Sequence, residues 1–172
     1  MKLYKQIVCS LCLFLSLSPL LYAQEVTLKD GELFEVRNGS GQLIKITSTK
    51  GKVDEFWLSL NKRYIAYSKI IEYADEPGLW EDQEEIPQRP ACHIIILDLR
   101  SKKTLAEISP QNENDSFIYV DGWVSDKELL LHDADGFAVS NFYSYDLTKK
   151  ELKEIQWEEY KKKEKELKTI MP

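Results

Sequence analysis

The sequence predicts a mainly β protein, an antiparallel β-meander that ends in a single C-terminal α-helix. Three observations carry this prediction. Between Glu32 and Ile155, apolar residues alternate with polar ones at a spacing of two rather than the ~3.6 of a helix. The runs are joined by connections of a few residues, such as Asn61-Lys62-Arg63 and Arg100-Ser101-Lys102, which antiparallel neighbours can use and parallel ones cannot. From Trp157 onward the period becomes helical.

Residues 1–23 read as a secretory signal peptide. Lys2 and Lys5 supply a positive start, Ile7 to Leu21 is apolar apart from Ser and Pro, and Leu21-Tyr22-Ala23 ends on a small residue. The apolar run is shorter than the roughly 20 residues of a spanning helix, so no stable membrane insertion is expected after cleavage. Cleavage removes two of 23 basic residues and none of 29 acidic ones, which changes the net charge from −6 to −8. Cys92 then remains as the single cysteine, so a core must replace disulfides; at the head of an apolar run it reads as a small buried hydrophobe. The expected location is the periplasm or outside the cell.

The β domain is placed at 24–156. Its strands are expected at 32–37, 42–48, 53–60, 64–73, 92–99, 103–108, 116–123, 128–132, 137–146 and 151–155. Ala134-Asp135-Gly136 reads as a turn rather than a calcium loop, because Phe142 stands where a bidentate Glu would be needed. A C-terminal segment, 157–172, is expected to form an amphipathic helix. Trp157, Tyr160, Leu167 and Met171 share a face that Glu164 interrupts, and the helix should lay Trp157 and Tyr160 on the sheet or dock a partner.

One hairpin pattern occurs three times, at Leu33 to Ile46, His93 to Ile108 and Asn141 to Ile155. A second shared piece precedes two of them: Trp57 to Tyr67 matches Trp123 to His132 with one residue fewer in the turn. The tryptophans are 66 residues apart, whereas Asp98 and Asp146 are 48 apart, and a long loop at 74–91 accounts for almost all of the difference. Trp57 to Tyr67 resembles the W-S-P-D-G-K-x-I-A-Y step of TolB-like and prolyl-oligopeptidase-type β-propellers, and 94–108 and 142–155 resemble their L-Y-V-x-D-L-x-T-G-K hairpin. The resemblance covers about residues 33–155. It departs at Leu60-Asn61-Lys62, where Pro-Asp-Gly is usual, and most turn glycines are lysines. It implies blade-like sheets and a protein-binding or scaffold role. About two and a half blades are expected, arranged as an open sandwich or a partial propeller, since closed propellers take typically 4–8.

Composition and motifs narrow the function. An acidic chain has no electrostatic attraction for nucleic acid. No G-x-S-x-G elbow is present, because Gly39-Ser40-Gly41 lies in a hairpin turn. His93 and His132 alternate within apolar strands and read as core or sheet-face histidines. Two histidines and one cysteine give no zinc spacing, and no cofactor is implied. The unusual feature is the acidic loop from Glu72 to Arg89, where Glu76, Glu81, Asp82, Glu84 and Glu85 surround Trp80. Long loops inside compact domains are often functional. These six residues are therefore the candidate partner-binding set, with the indole as anchor and the carboxylates steering a basic protein. The expected function is a non-catalytic protein-binding module. The alternatives are a hydrolase acting on glycans or peptides, with carboxylates from 72–85 and Asp121, Asp133 or Asp135, and an inhibitor of a basic hydrolase such as lysozyme.

Overall fold

The structure is a computed structural model that describes residues 25–37, 40–75, 88–110, 116–135 and 138–170. The segment 1–23, expected to be a signal peptide, and the acidic residues 76–85 lie outside the described residues. Eleven strands and one helix are described: β1 (Glu25–Lys29), β2 (Glu32–Val36), β3 (Leu43–Lys45), β4 (Val53–Leu58), β5 (Tyr64–Asp75), β6 (Gln88–Asp98), β7 (Lys103–Ile108), β8 (Ser116–Ser125), β9 (Glu128–Asp135), β10 (Ala138–Asp146), β11 (Glu151–Ile155) and α1 (Trp157–Ile170). They form three antiparallel sheets: β1-β2-β3, β4-β5-β6-β7 and β11-β10-β9-β8. Each follows chain order, so the fold is mainly β and a meander, with blade-like sheets and, among the described residues, no closed barrel.

The sheets stack face to face, and alternation along each strand assigns residues to the interfaces. Ile65, Tyr67, Ile95, Leu97 and Leu99 of the middle sheet join Val26 and Leu33 of the first sheet in one core. The intervening Ala66, Ile94 and Ile96 join Ile118, Val120, Trp123, Leu129 and Leu131 of the third sheet in another. The unbroken apolar run of β6 is thus a strand covered on both faces. The far face of the third sheet is covered by α1, where Val124, Leu130 and Ile155 pack with Tyr160. Burial of each large aliphatic side chain contributes ~1.5–3 kcal/mol.

Four expectations need correction. β1 falls outside the runs expected from alternation; it pairs with β2 across Asp30-Gly31, whose φ angles of 53° and 64° fit a two-residue hairpin turn. The strand expected at 42–48 is cut to Leu43–Lys45 because the Glu32 carboxylate draws the following segment around itself. It accepts hydrogen bonds from Thr47 Oγ1 (2.6 Å), the Thr49 amide (2.9 Å) and the Gly51 amide (3.2 Å). Gly31 permits that wrap, since a Cβ there would collide with the Gly51 backbone. Finally, the loop expected at 74–91 is largely ordered at its base: β5 and β6 stay paired to Asp75↔Gln88. Asp135 likewise pairs with Ala138 as strand rather than turn.

The lysines that replace turn glycines take the conformation glycine would supply. Lys62, Lys102 and Lys150 have φ of 55°, 56° and 56°. Local bonds hold them there: Asp98 Oδ1 accepts from the Arg100 amide at 2.8 Å, and Asp146 Oδ1 accepts from the Thr148 amide at 2.8 Å. The Lys102 amide also donates to the Asp98 carbonyl. Helix α1 lies against the third sheet, as expected. Tyr160 and Leu167 are buried, whereas Trp157 is 48% exposed and packs on Phe142 of the sheet at 5.1 Å and on Tyr160 of its own helix at 5.7 Å. Lys163 folds back onto Glu128 at 2.6 Å, which holds that carboxyl below its ordinary value despite partial burial.

Two predictions follow from these turns. Burial opposes ionisation of Glu32, but the bonds from Thr47, Thr49, Gly51 and Lys45 outweigh it and hold its carboxyl at about 2, against an ordinary 4.5. Its contribution to stability is complete above pH 4.5 and disappears as pH falls through about 2. Thermal unfolding followed by circular dichroism should show a smaller loss of Tm between these pH values for Glu32→Gln than for the parent; parallel profiles would count against the role of Glu32. At Lys150, a left-handed lysine is strained by ~1–2 kcal/mol, and glycine returns ~0.5–1 of that as backbone entropy. Lys150→Gly should therefore raise stability by roughly 0.5–1 kcal/mol in urea unfolding.

Candidate functional site

Two features of the middle sheet stand out. The first is the free end of the β5–β6 hairpin. Pairing with β4 reaches only Val53↔Lys69, and pairing with β7 reaches only Ile94↔Ile108. Beyond these points the hairpin runs on as a two-stranded ribbon through Tyr73↔Pro90 to Asp75↔Gln88. Pro90 is tolerated because this stretch of β6 is an edge. A register shift between Ile70 and Glu72 leaves Ile71 bulged out of the ladder. Ile71 is 39% and Tyr73 61% exposed, with the exposed Glu72 between them. The ribbon thus carries apolar side chains into solvent and leads towards the acidic segment. Glu76, Trp80, Glu81, Asp82, Glu84 and Glu85 themselves lie outside the described residues.

The second feature is a cleft of about 530 Å³ between the middle and third sheets, on the ribbon side. At the other end the sheets are clamped together. Trp123 Nε1 donates to the Trp57 carbonyl at 3.0 Å, Trp123 stacks near Tyr64, and the Asn61 amide donates to Asp126 at 2.6 Å. Away from that clamp the sheets part. Pro90, Cys92 and Ile94 form one wall of the gap and Phe117, Ile118 and Val120 the other. Asp54 and Glu55 stand exposed at its lip. They occupy the β4 register shift between Val53 and Phe56, where the Glu55 amide hydrogen-bonds Ser68 Oγ at 3.0 Å. Burial, reinforced by the charges of Asp54 and Glu55, pushes the Cys92 thiol up to about 12. Cys92 is therefore the inert buried residue expected from its apolar setting.

His132 also borders the cleft, stacked on Tyr119 at 5.2 Å, with its Nδ1 3.0 Å from Asp121 Oδ1. Asp121 sits at a β8 register shift between Val120 and Gly122, and a bond to Asp121 and its charge add to burial in raising the Tyr160 hydroxyl. The pair is an acid-oriented imidazole, yet among the described residues no Ser, Thr or Cys hydrogen-bonds to His132. His93 is held at the sheet surface by Glu107 at 2.7 Å. Asp133, 1% exposed, is occupied by the Asn141 amide and the Tyr143 hydroxyl, which its charge and burial push up to about 12. Asp121 and Asp133 are thus held in separate structural roles. Among the described residues no three His, Cys, Asp or Glu side chains cluster closely enough to hold a metal ion. No helix of the described residues is long and apolar enough to cross a membrane.

The cleft was not visible in strand alternation. The signal that could have found it is Asp54-Glu55, two acids in succession within a strand, which breaks the period of two and marks a bulge.

No family model matches the chain, and no curated protein matches it. Among solved structures it is similar to the crystal structure of Porphyromonas gingivalis dipeptidyl peptidase 4, which contains a propeller. The identity is 11% and the TM-score 0.52; the likeness covers 76% of this chain and 23% of that one. The similarity is one of fold, in line with sheets built like propeller blades.

The cleft geometry yields one prediction. A thiol held at about 12 and nearly buried carries little thiolate at pH 8. Iodoacetamide should label Cys92 in the native chain roughly 10³-fold more slowly than in urea; comparable rates, read by mass spectrometry, would place the thiol in solvent.

Proposed function

We propose that this protein is a non-catalytic, exported binding module, acting in the periplasm or outside the cell, that engages a basic protein partner through the β5–β6 ribbon and its acidic tip. Its sheets are read as degenerate blades of the TolB-like and prolyl-oligopeptidase type, used as a scaffold. One observation carries the reading: Tyr73, 61% exposed, stands on a paired ribbon that outruns both neighbouring strands. An exposed aromatic on a rigid support is the kind of group that anchors interfaces, because little side-chain freedom is lost when it is buried. Acidic residues around such an anchor accelerate encounter with a basic surface. The imidazole–carboxylate pair in the cleft does not compete with this reading, since no described nucleophile hydrogen-bonds to it.

The test is affinity capture from an envelope extract with the parent chain and three variants: Ile71→Ser with Tyr73→Ser, Trp80→Ala, and a chain with Glu76, Glu81, Asp82, Glu84 and Glu85 changed to amides. A specific basic partner should be recovered with the parent and fall at least about tenfold with each variant, as loss of an interface hot spot of ~2 kcal/mol or more does, while far-ultraviolet circular dichroism stays unchanged. A partner set indifferent to all three variants removes the ribbon from the function. Cleavage of a glycan or peptide by the purified chain would replace the reading with that of a hydrolase.

A further inference from the structure

A second surface borders the exposed ribbon at Pro90 and differs from it in chemistry. We propose that the cleft between the middle and third sheets binds a peptide segment in which an apolar side chain is flanked by lysine or arginine. At about 530 Å³ it falls within the ~300–1,000 Å³ typical of ligand sites. Its walls offer Trp57, Ile94, Phe117, Ile118 and Val120. Cys92 adds a neutral thiol. An apolar group entering the cleft would leave water without displacing a charge.

Charge selects the neighbours of that group. Asp54 and Glu55 are exposed at the lip, and no described lysine or arginine lies within ion-pair distance of either. Among the described residues no lysine or arginine lines the cleft. The nearby cations point elsewhere: Lys52 Nζ donates to the Ile71 carbonyl at 3.4 Å, and Lys69, one residue on from the cleft-lining Ser68, belongs to the opposite face of β5. Any positive charge on His132 is matched by Asp121 at 3.0 Å. The fields of Asp54 and Glu55 reach into the gap, since both contribute to the rise of the Cys92 thiol. An acidic rim over an apolar floor complements a basic–apolar–basic segment and repels an acidic one.

Methyl-labelled NMR of the full-length chain tests this directly. A Lys-Phe-Lys tripeptide blocked at both ends should give saturable shifts at the Ile94 and Ile118 methyls. Glu-Phe-Glu and Lys-Gly-Lys, at the same concentrations, should give none. The double variant Asp54→Asn, Glu55→Gln alters exposed side chains and should fold as the parent, yet bind Lys-Phe-Lys roughly fivefold or more weakly, with a flatter dependence on salt. Absence of shifts, equal shifts with either control peptide, shifts at Ile65 and Ile95 instead, or unchanged affinity of the double variant would overturn the proposal. The Ile71→Ser, Tyr73→Ser variant should bind the tripeptide as the parent does, so failure of the ribbon reading and failure of the cleft reading are told apart.

Discussion

The structure depends on burial of the middle sheet on both faces. β6 supplies Ile95 and Leu97, with Leu99 just beyond its end, to one core and Ile94 and Ile96 to the other, so neither outer sheet can leave without uncovering aliphatic surface. This arrangement creates a specificity problem. A slip of one residue normally throws apolar side chains into water, which fixes register. In β6 it would exchange isoleucine for isoleucine, and the pattern alone cannot forbid it. Register is set instead by polar and size constraints at the strand's end and on its neighbour. Asp98 is tied to Arg63 at 3.0 Å and to the Arg100 and Ser101 amides, which also keep its carboxyl below the ordinary range despite burial. On β5, small Ala66 and Ser68 face the third sheet while Ile65 and Tyr67 face the first, so the two sides differ in depth.

The same stacking explains where the cleft opens. The clamp at Trp57, Trp123, Asn61 and Asp126 holds the sheets at the turn end. Twisted sheets that are pinned at one end diverge towards the other. There the walls are lined by Phe117 and Pro90 rather than by interlocked side chains, and β4 is bent by its bulge. The cavity thus lies at the margin of the core that the middle and third sheets share, away from that fixed contact. It places the exposed acids of the bulge above an apolar floor.

The far face of the third sheet is managed differently. Leu130 alternates with Leu129 and Leu131, points away from the middle sheet and needs a cover. Helix α1 supplies it through Tyr160 and Leu167, and Leu167 packs so closely on Gly122 that a Cβ there would meet its methyl at 2.9 Å. Glu164 interrupts the apolar stripe without exposing a defect, because Lys161 at 2.8 Å and Lys168 at 2.6 Å flank it on the helix. Ion pairs of this exposed kind contribute at most ~1 kcal/mol each, so the aromatic and leucine contacts hold the helix in place.

By itself the sequence determined the elements: the alternation of 53–73 and 92–155, the short connections and the change of period at Trp157 each report a local preference, and local preferences are written residue by residue. It also marked the repeat, through Trp57 and Trp123, and those two residues prove to meet. The Asp30-Gly31 turn was missed, and β1 with it, although that dipeptide favours two positive φ angles. Only the tertiary structure decided which sheet faces which, that the stem of the acidic loop is a ribbon, and that Asp54, Glu55, Cys92 and His132 border one cleft. These residues come from three strands in two sheets, and their meeting depends on how the sheets stack and on one interlocking tryptophan, neither of which any single segment encodes.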